Sequence, residues 1–284
     1  MLVCGTSDSA QGRAIEAAGR RAARAAGVRL VALEDYPGNY GDIPGGEADL
    51  LIVESEGAAQ LHSSRLGRRC PTTWICPAPR YDAYRRDAVR LRARYAERDP
   101  AARSVLWAGQ PETADALATL RRVGPALELL GVEMLFRAHP RDPGYRDGAY
   151  QGLFAELGIP VRDVTAYPLE DCFSLAPELL LTQFSTVAVE AGFHGIPSVY
   201  LLYADIGAKT LRAKKGYDAP LGCEAGAAIL LCDQGGEAQV LRKAISDPQV
   251  RVEMLAAFDR YYSTTGETLG GLLAHLYNQG IIST

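Results

Sequence analysis

Short, almost wholly apolar runs alternate along this chain with longer stretches whose apolar positions recur every three or four residues. The runs fall at residues 1–5, 28–34, 48–54, 72–79, 104–109, 132–139, 161–165, 178–182, 197–203 and 227–232. Runs of four to eight residues that are apolar at nearly every position are the mark of strands buried on both faces, as in a parallel sheet. The stretches between them, at 10–26, 58–66, 112–130 and 150–157, carry helical spacing, and 237–279 reads as helices broken near 263–266. Strand–helix alternation of this kind predicts βα units and an α/β fold.

The alternation is interrupted once. Residues 81–103 are rich in arginine, have helical spacing and are broken at Asp99-Pro100. They divide the chain into two predicted parallel α/β domains, 1–100 including this linker helix and 101–284, whose strand ends face a cleft. The arginines Arg85, Arg86, Arg90, Arg92, Arg94 and Arg98 read as a solvated helix face, with contact to an anionic membrane or acceptor as the other reading.

Composition narrows the field. Apolar residues make up 48% and charged residues 23%, with a formal net charge of -4, so the molecule as a whole is not an electrostatic nucleic-acid binder. No apolar run is long enough to span a membrane, and the opening MLVCGTSDSAQGR turns polar too soon for a secretory leader. The six cysteines form no CxxC pair and the four histidines are scattered, so neither a zinc site nor a disulfide framework is expected. The expected location is the cytoplasm, with the inner face of the membrane as a peripheral contact.

In open parallel sheets, ligands bind beyond the carboxyl ends of the strands. In the second half that rule selects Gly109 after one strand, Arg137 and His139 after the next, and Gln183, Ser185 and Thr186 after a third. Ser185 or Thr186 is placed to cap the following helix, whose free N–H groups and positive dipole end suit a phosphate. Glu190, one turn further on, suits a ribose or sugar diol, and Pro140 holds His139 extended. Each also has a plain reading, as an ordinary cap, a surface glutamate or a structural histidine.

Together, His139-Pro140 and Ser185-Thr186 with Glu190, in that order, resemble the GT-B glycosyltransferase superfamily. The likeness is to its bacterial surface-polysaccharide branches, which include glycerophosphotransferases and capsule sialyl- or Kdo-transferases. Cys76–Asp82 (CPAPRYD) looks like the family's G-x-P-x-x-D element, with Pro77-Ala78 in place of glycine. Thr6-Ser7 with Glu16, and Glu34-Asp35-Tyr36, resemble the later part of its N-terminal domain. Residues 263–269 resemble the break in its tail helix, which typically returns to the first domain, so the tail of 101–284 is expected to return to the first half. The resemblance implies a transferase that takes a CMP-, CDP- or UDP-linked donor as substrate, with no metal or resident cofactor. The acceptor would be a glycan or a lipid-linked chain. A general base would come from the first half, where Asp8 and Asp35 lead because they follow strands directly, ahead of Glu16, Glu54 and His62. That half offers about four strands, fewer than the family's usual number, so it reads as abbreviated, with apolar surface that a second copy could cover. An epimerase or hydrolase of the same fold, and a non-catalytic nucleotide-sugar-binding subunit, are the alternatives.

Overall fold

The computed structural model describes residues 1–6, 9–41, 45–97, 103–262, 268–278 and 280. The chain divides into two compact units, Met1–Arg86 with Thr265–Thr284, and Asp87–Thr264. The division falls inside a helix, after Arg86, and the last helix belongs to the first unit rather than the second.

Among the described residues, the first unit holds four parallel strands: β1 (Leu2–Gly5), β2 (Leu30–Leu33), β3 (Leu50–Val53) and β4 (Thr72–Ile75), in that spatial order. Helix α1 (Ala10–Ala25) begins where the Ser9 hydroxyl accepts the Gly12 N–H at 3.0 Å. Helix α2 (Glu56–Leu66) is capped in the same way by Ser55 to the Ala58 N–H. Helix α3 (Asp82–Ala96) follows β4 and carries the boundary between units. The central strands β2 and β3 are almost wholly buried, whereas β1 and β4 at the edges are partly exposed. The last helix, Thr268–Asn278, covers Val31, Ile52 and Cys76 with Leu272 and Leu276. On that helix His275 stacks on Trp74, with ring centroids 3.9 Å apart and planes 3° from parallel.

Among the described residues, the second unit has six parallel strands: β5 (Ser104–Ala108), β6 (Glu133–Arg137), β7 (Val161–Asp163), β8 (Leu179–Thr182), β9 (Ser198–Leu201) and β10 (Ile229–Leu231). Their spatial order is β10-β9-β8-β5-β6-β7, the doubly wound order in which the chain starts at the centre and winds both ways. Its helices, in chain order, are α4 (Thr113–Leu130), α5 (Pro143–Arg146), α6 (Tyr150–Glu156), α7 (Leu169–Ser174), α8 (Val187–Phe193), α9 (Ala208–Lys215), α10 (Glu237–Ser246) and α11 (Pro248–Tyr262). The terminal helix of the first unit is therefore α12. One core, built on Trp107, Leu120, Phe136 and Leu181, lies on one face of this sheet. A second, with Leu106, Leu135, Phe173 and Leu180, lies on the other. Alternate residues of β5, β6 and β8 feed the two cores, which is why these strands are apolar throughout.

All ten apolar runs become strands, shortened by a few residues at their ends. The arginine-rich stretch becomes α3 from Asp82 to Ala96, but not as a wholly solvated face, because Arg85 is buried and donates to the Ala78 carbonyl and to Asp82; residues 98–102, Arg98 among them, lie outside the described residues, as does the tail break at 263–267. Helices α5, α7 and α9 have no counterpart in the sequence pattern. They are only four to eight residues long, too short to establish a period, and α9 buries just Leu211. Among the described residues, no helix is long and apolar enough to cross a membrane.

Candidate functional site

The doubly wound order makes β5 and β8 neighbours whose crossovers leave in opposite directions, so the chain parts between their carboxyl ends. Three of the predicted segments meet there, after β5, β6 and β8. Gly109 donates its N–H to the Arg137 carbonyl at 2.9 Å. A Cβ on Gly109 would lie 3.2 Å from the His139 nitrogen and 3.3 Å from the Arg137 carbonyl, so the two loops run backbone against backbone. Across the other seam, the Thr182 hydroxyl donates to the Ala108 carbonyl at 2.7 Å and accepts the Ser185 N–H at 3.3 Å. Gly109, His139 and Ser185 therefore stand on adjacent strand ends.

The imidazole is presented in a defined way. His139 Nδ1 accepts the Arg141 N–H at 3.1 Å, which assigns the ring proton to Nε2. Partial burial, aided by the neighbouring Arg141 charge, lowers its pKa below the ordinary imidazole value. His139 is thus a neutral Nε2–H donor at physiological pH. The loop carrying it is anchored by Asp142, a carboxylate 1% exposed. Asp142 accepts from the Thr113 hydroxyl at the start of α4, the Tyr150 hydroxyl at 2.5 Å and the Gly144 N–H at 2.9 Å. Its own N–H closes the turn onto the His139 carbonyl at 2.9 Å. Asp142→Ala removes the shared acceptor of three donors, the Thr113 hydroxyl, the Tyr150 hydroxyl and the Gly144 N–H. We expect it to cost about 2 kcal/mol of stability in urea unfolding. Unchanged stability would show that the turn does not depend on this carboxylate.

The start of α8 differs from the sequence expectation. Thr186 occupies the cap position with helical dihedrals and no side-chain capping bond, while the Ser185 hydroxyl accepts the Val187 N–H at 3.3 Å. The serine therefore closes a local turn over one of the N–H groups expected to face a ligand. Glu190 is half-buried in α8, its N–H on the Thr186 carbonyl at 3.4 Å. Gln183 turns inward and is fully buried, its amide donating to Thr119 at 3.0 Å and packing where Gly207 passes. Arg137 is half-buried, with its guanidinium beside the Cys172 thiol and its Nε without a partner among the described residues.

In the first unit, the expected acid–base groups separate into two kinds. Glu16 is buried against Arg20 at 2.5 Å, and Arg20 also donates to the Gly46 carbonyl at 3.0 Å. His62 is fully buried on Glu34, which also accepts the Gly38 and Asn39 N–H groups at 2.8 and 3.2 Å. Both are internal structural pairs. At the carboxyl edge of the sheet, by contrast, Arg80 contacts Glu54 at 3.1 Å and Asp35 at 3.6 Å. Burial pushes the Glu54 carboxyl up to about 7, against the opposing pull of Arg80. Asp35 is mostly exposed and donates its N–H to the Thr6 hydroxyl at 2.9 Å. Asp8, with Ser7, lies outside the described residues. Position after a strand favoured Asp8 and Asp35 in the sequence. What distinguishes Glu54 is burial, which strand position does not report.

Among the described residues, no group of three or more histidine, cysteine, aspartate or glutamate side chains is arranged to hold a metal ion. No protein-family model matches the chain, and no curated protein matches it. Solved structures do. The Staphylococcus aureus MnaA–UDP co-structure aligns over 100% of this chain and 77% of its own, with a TM-score of 0.63 and 16% identity. Acinetobacter baumannii MurG aligns over 93% and 72%, with a TM-score of 0.57 and 14% identity. Anabaena Alr3699/HepE in complex with UDP aligns over 98% and 78%, with a TM-score of 0.57 and 15% identity. At such identities the likeness is one of fold, and the fold of this chain is the parallel α/β fold of the GT-B type.

Proposed function

We propose that the second unit binds a nucleotide-activated donor at the carboxyl ends of β5, β6 and β8, and that the chain transfers a sugar or glycerophosphate from it to a surface-polysaccharide acceptor. The observation that carries this reading is the meeting of Gly109, His139 and Ser185 at the one place where the sheet's winding reverses. Here the neutral Nε2–H of His139 donates to a phosphate oxygen and stabilises charge as it gathers on the leaving phosphate. Gly109 lets the backbone approach closely, and the Ser185-Thr186 turn with Arg137 flanks the same phosphate. Glu190 takes the ribose diol. MnaA and HepE, in the structures named above, were solved with UDP, which favours a nucleotide ligand, with CMP- and CDP-linked donors equally compatible with the residues.

Transfer needs one base within hydrogen-bond reach of the acceptor hydroxyl. Glu54 suits that role because its raised pKa places it near neutral pH, with Arg80 and Asp35 beside it. An epimerase needs several free acid–base groups, and Glu16, Glu34 and His62 are engaged in internal pairs. This observation favours transfer over epimerisation. Contact with the membrane face and self-association belong to the same proposal, through the acceptor and the exposed Met1 and Val3 at the β1 edge.

The reading is tested by thermal shift with UDP, CDP, CMP and GDP. A stabilising nucleotide should lose most of its Tm shift in His139→Ala and part of it in Ser185→Ala. Full shifts in both variants would remove these residues from the site. Nucleotide release that requires an added acceptor separates transfer from hydrolysis, and sugar isomerisation without acceptor identifies an epimerase.

A further inference from the structure

We propose that the cavity between α3, α7 and the end of α8 binds a small zwitterion of the amino-acid type, with a carboxylate at one end and an ammonium at the other. The inference is independent of the donor reading above. Every residue that lines this cavity belongs to the second unit, and none belongs to the strand ends assigned to the nucleotide.

The cavity has a volume of about 160 Å³. At about 30 Å³ per liquid water, that is room for several waters or for one small organic molecule. Its place follows from the chain. His194 ends α8 shortly before β9, and Ala176 lies shortly before β8, so the floor sits toward the amino edge of the sheet. Phe173 and His194 close that floor, with ring centroids 4.6 Å apart and the His194 side chain only 9% exposed. Ala176, in the wall, has φ 51°, in the left-handed region that favours glycine. Among the described residues no other non-glycine residue does so. Such a backbone costs about 1 kcal/mol and gathers at ligand-holding sites, where the surrounding structure enforces it.

The walls carry opposite charges. Arg90 and Arg94, one turn apart on α3, line one side, and Glu170 and Asp171 on α7 line another. Among the described residues no ion pair joins the two sides. Arg90 is held by Asp87 on its own helix at 2.7 Å, and Glu170 contacts His194 Nε2 at 3.0 Å. Arg94 has no ion-pair partner among the described residues. Opposite charges that share a cavity without closing on each other suit a molecule that carries one charge of each sign. The Arg94 guanidinium matches a carboxylate, which it can bind through two parallel N–H groups. Glu170, steadied by His194, faces the ammonium. Burial lowers the His194 pKa against the pull of Glu170, so the neutral imidazole adds no further cation to the site. A plain anion such as phosphate fits less well, because Asp87, Glu170 and Asp171 outnumber Arg90 and Arg94. A plain amine would leave the arginines unmatched.

The test is isothermal calorimetry on the full chain with L-alanine, L-serine, L-leucine and L-phenylalanine, and with inorganic phosphate as the plain anion. The amino acid that binds best is then compared with its own deaminated acid and its own decarboxylated amine, which for leucine are isocaproate and isoamylamine. Removing either charge should weaken binding about tenfold or more. Arg94→Gln and Glu170→Gln should each do the same to the amino acid, through loss of a charge-assisted hydrogen bond. Both side chains are exposed enough for the variants to fold, which an unchanged Tm confirms. The inference is overturned if none of the amino acids binds, or if phosphate or the deaminated acid binds as tightly. It is also overturned if either variant binds the amino acid as tightly as the unaltered protein does. Nucleotide Tm shifts bear on the donor reading alone, so either proposal can fail without the other.

Discussion

His62→Leu is expected to destabilise the first unit by about 4 kcal/mol, the largest single effect anticipated for a substitution in this chain. His62 is fully buried on α2, and its Nε2 contacts the Glu34 carboxylate at the end of β2. Leucine fills the volume but leaves that buried carboxylate with only the Gly38 and Asn39 N–H groups. It also removes the edge-on contact with the Tyr40 ring, whose centroid is 5.9 Å away. The Tyr36–Tyr40 turn hangs on Glu34, so its register should loosen along with the strand. Chemical denaturation should show the loss, and the nucleotide affinity proposed for the second unit should stay unchanged. A stable His62→Leu protein that lost turnover would instead return His62 to the list of catalytic groups.

The pH dependence of stability should be governed in part by Glu54. Its carboxyl sits near 7 in the folded chain because burial disfavours the charged form, against 4.5 for an unhindered glutamate. A raised acid holds its proton more tightly when folded than when unfolded. Its contribution is therefore full below about 4.5 and is lost as the pH climbs through 7. The difference is about 3 kcal/mol across that window. Glu54→Gln, permanently neutral, should lack this loss, so its Tm should overtake that of the unaltered protein between pH 5 and pH 8. The comparison must be between the two proteins, because His139 and His194, whose pKa values are lowered by burial, add a slope of opposite sign at acid pH. Parallel Tm profiles would mean that Glu54 ionises as an ordinary surface carboxylate, and would weaken it as a base. If it is the base, the rate should rise through the same pH range as the carboxylate forms.

Much of the candidate site was legible as a list, and little of it as an arrangement. The strand ends that carry Gly109, His139 and Ser185 follow from hydrophobic runs and from the rule that ligands sit beyond carboxyl ends. Which ends are neighbours is a matter of strand order, and no local pattern states that β8 lies beside β5. Asp142 went unremarked as an individual for the same reason. An aspartate before a proline looks like a surface residue until Thr113 and Tyr150 arrive from elsewhere in the chain. His62 and Glu16 show the converse. They looked like candidate bases, and burial against Glu34 and Arg20 made them supports.

The sequence by itself determined the alternation of strand and helix, because burial on both faces demands apolar residues at every strand position and helical periodicity at the covering layer. It also determined the chemical types available at the loop ends. The tertiary structure alone decided the doubly wound strand order, the partners of each charged side chain, and hence which carboxylates are neutralised inside and which stay at an edge. Those outcomes depend on contacts between residues far apart in the chain. A proton's affinity for its site is set by the solvent and charges around it, and both exist only once the chain has folded.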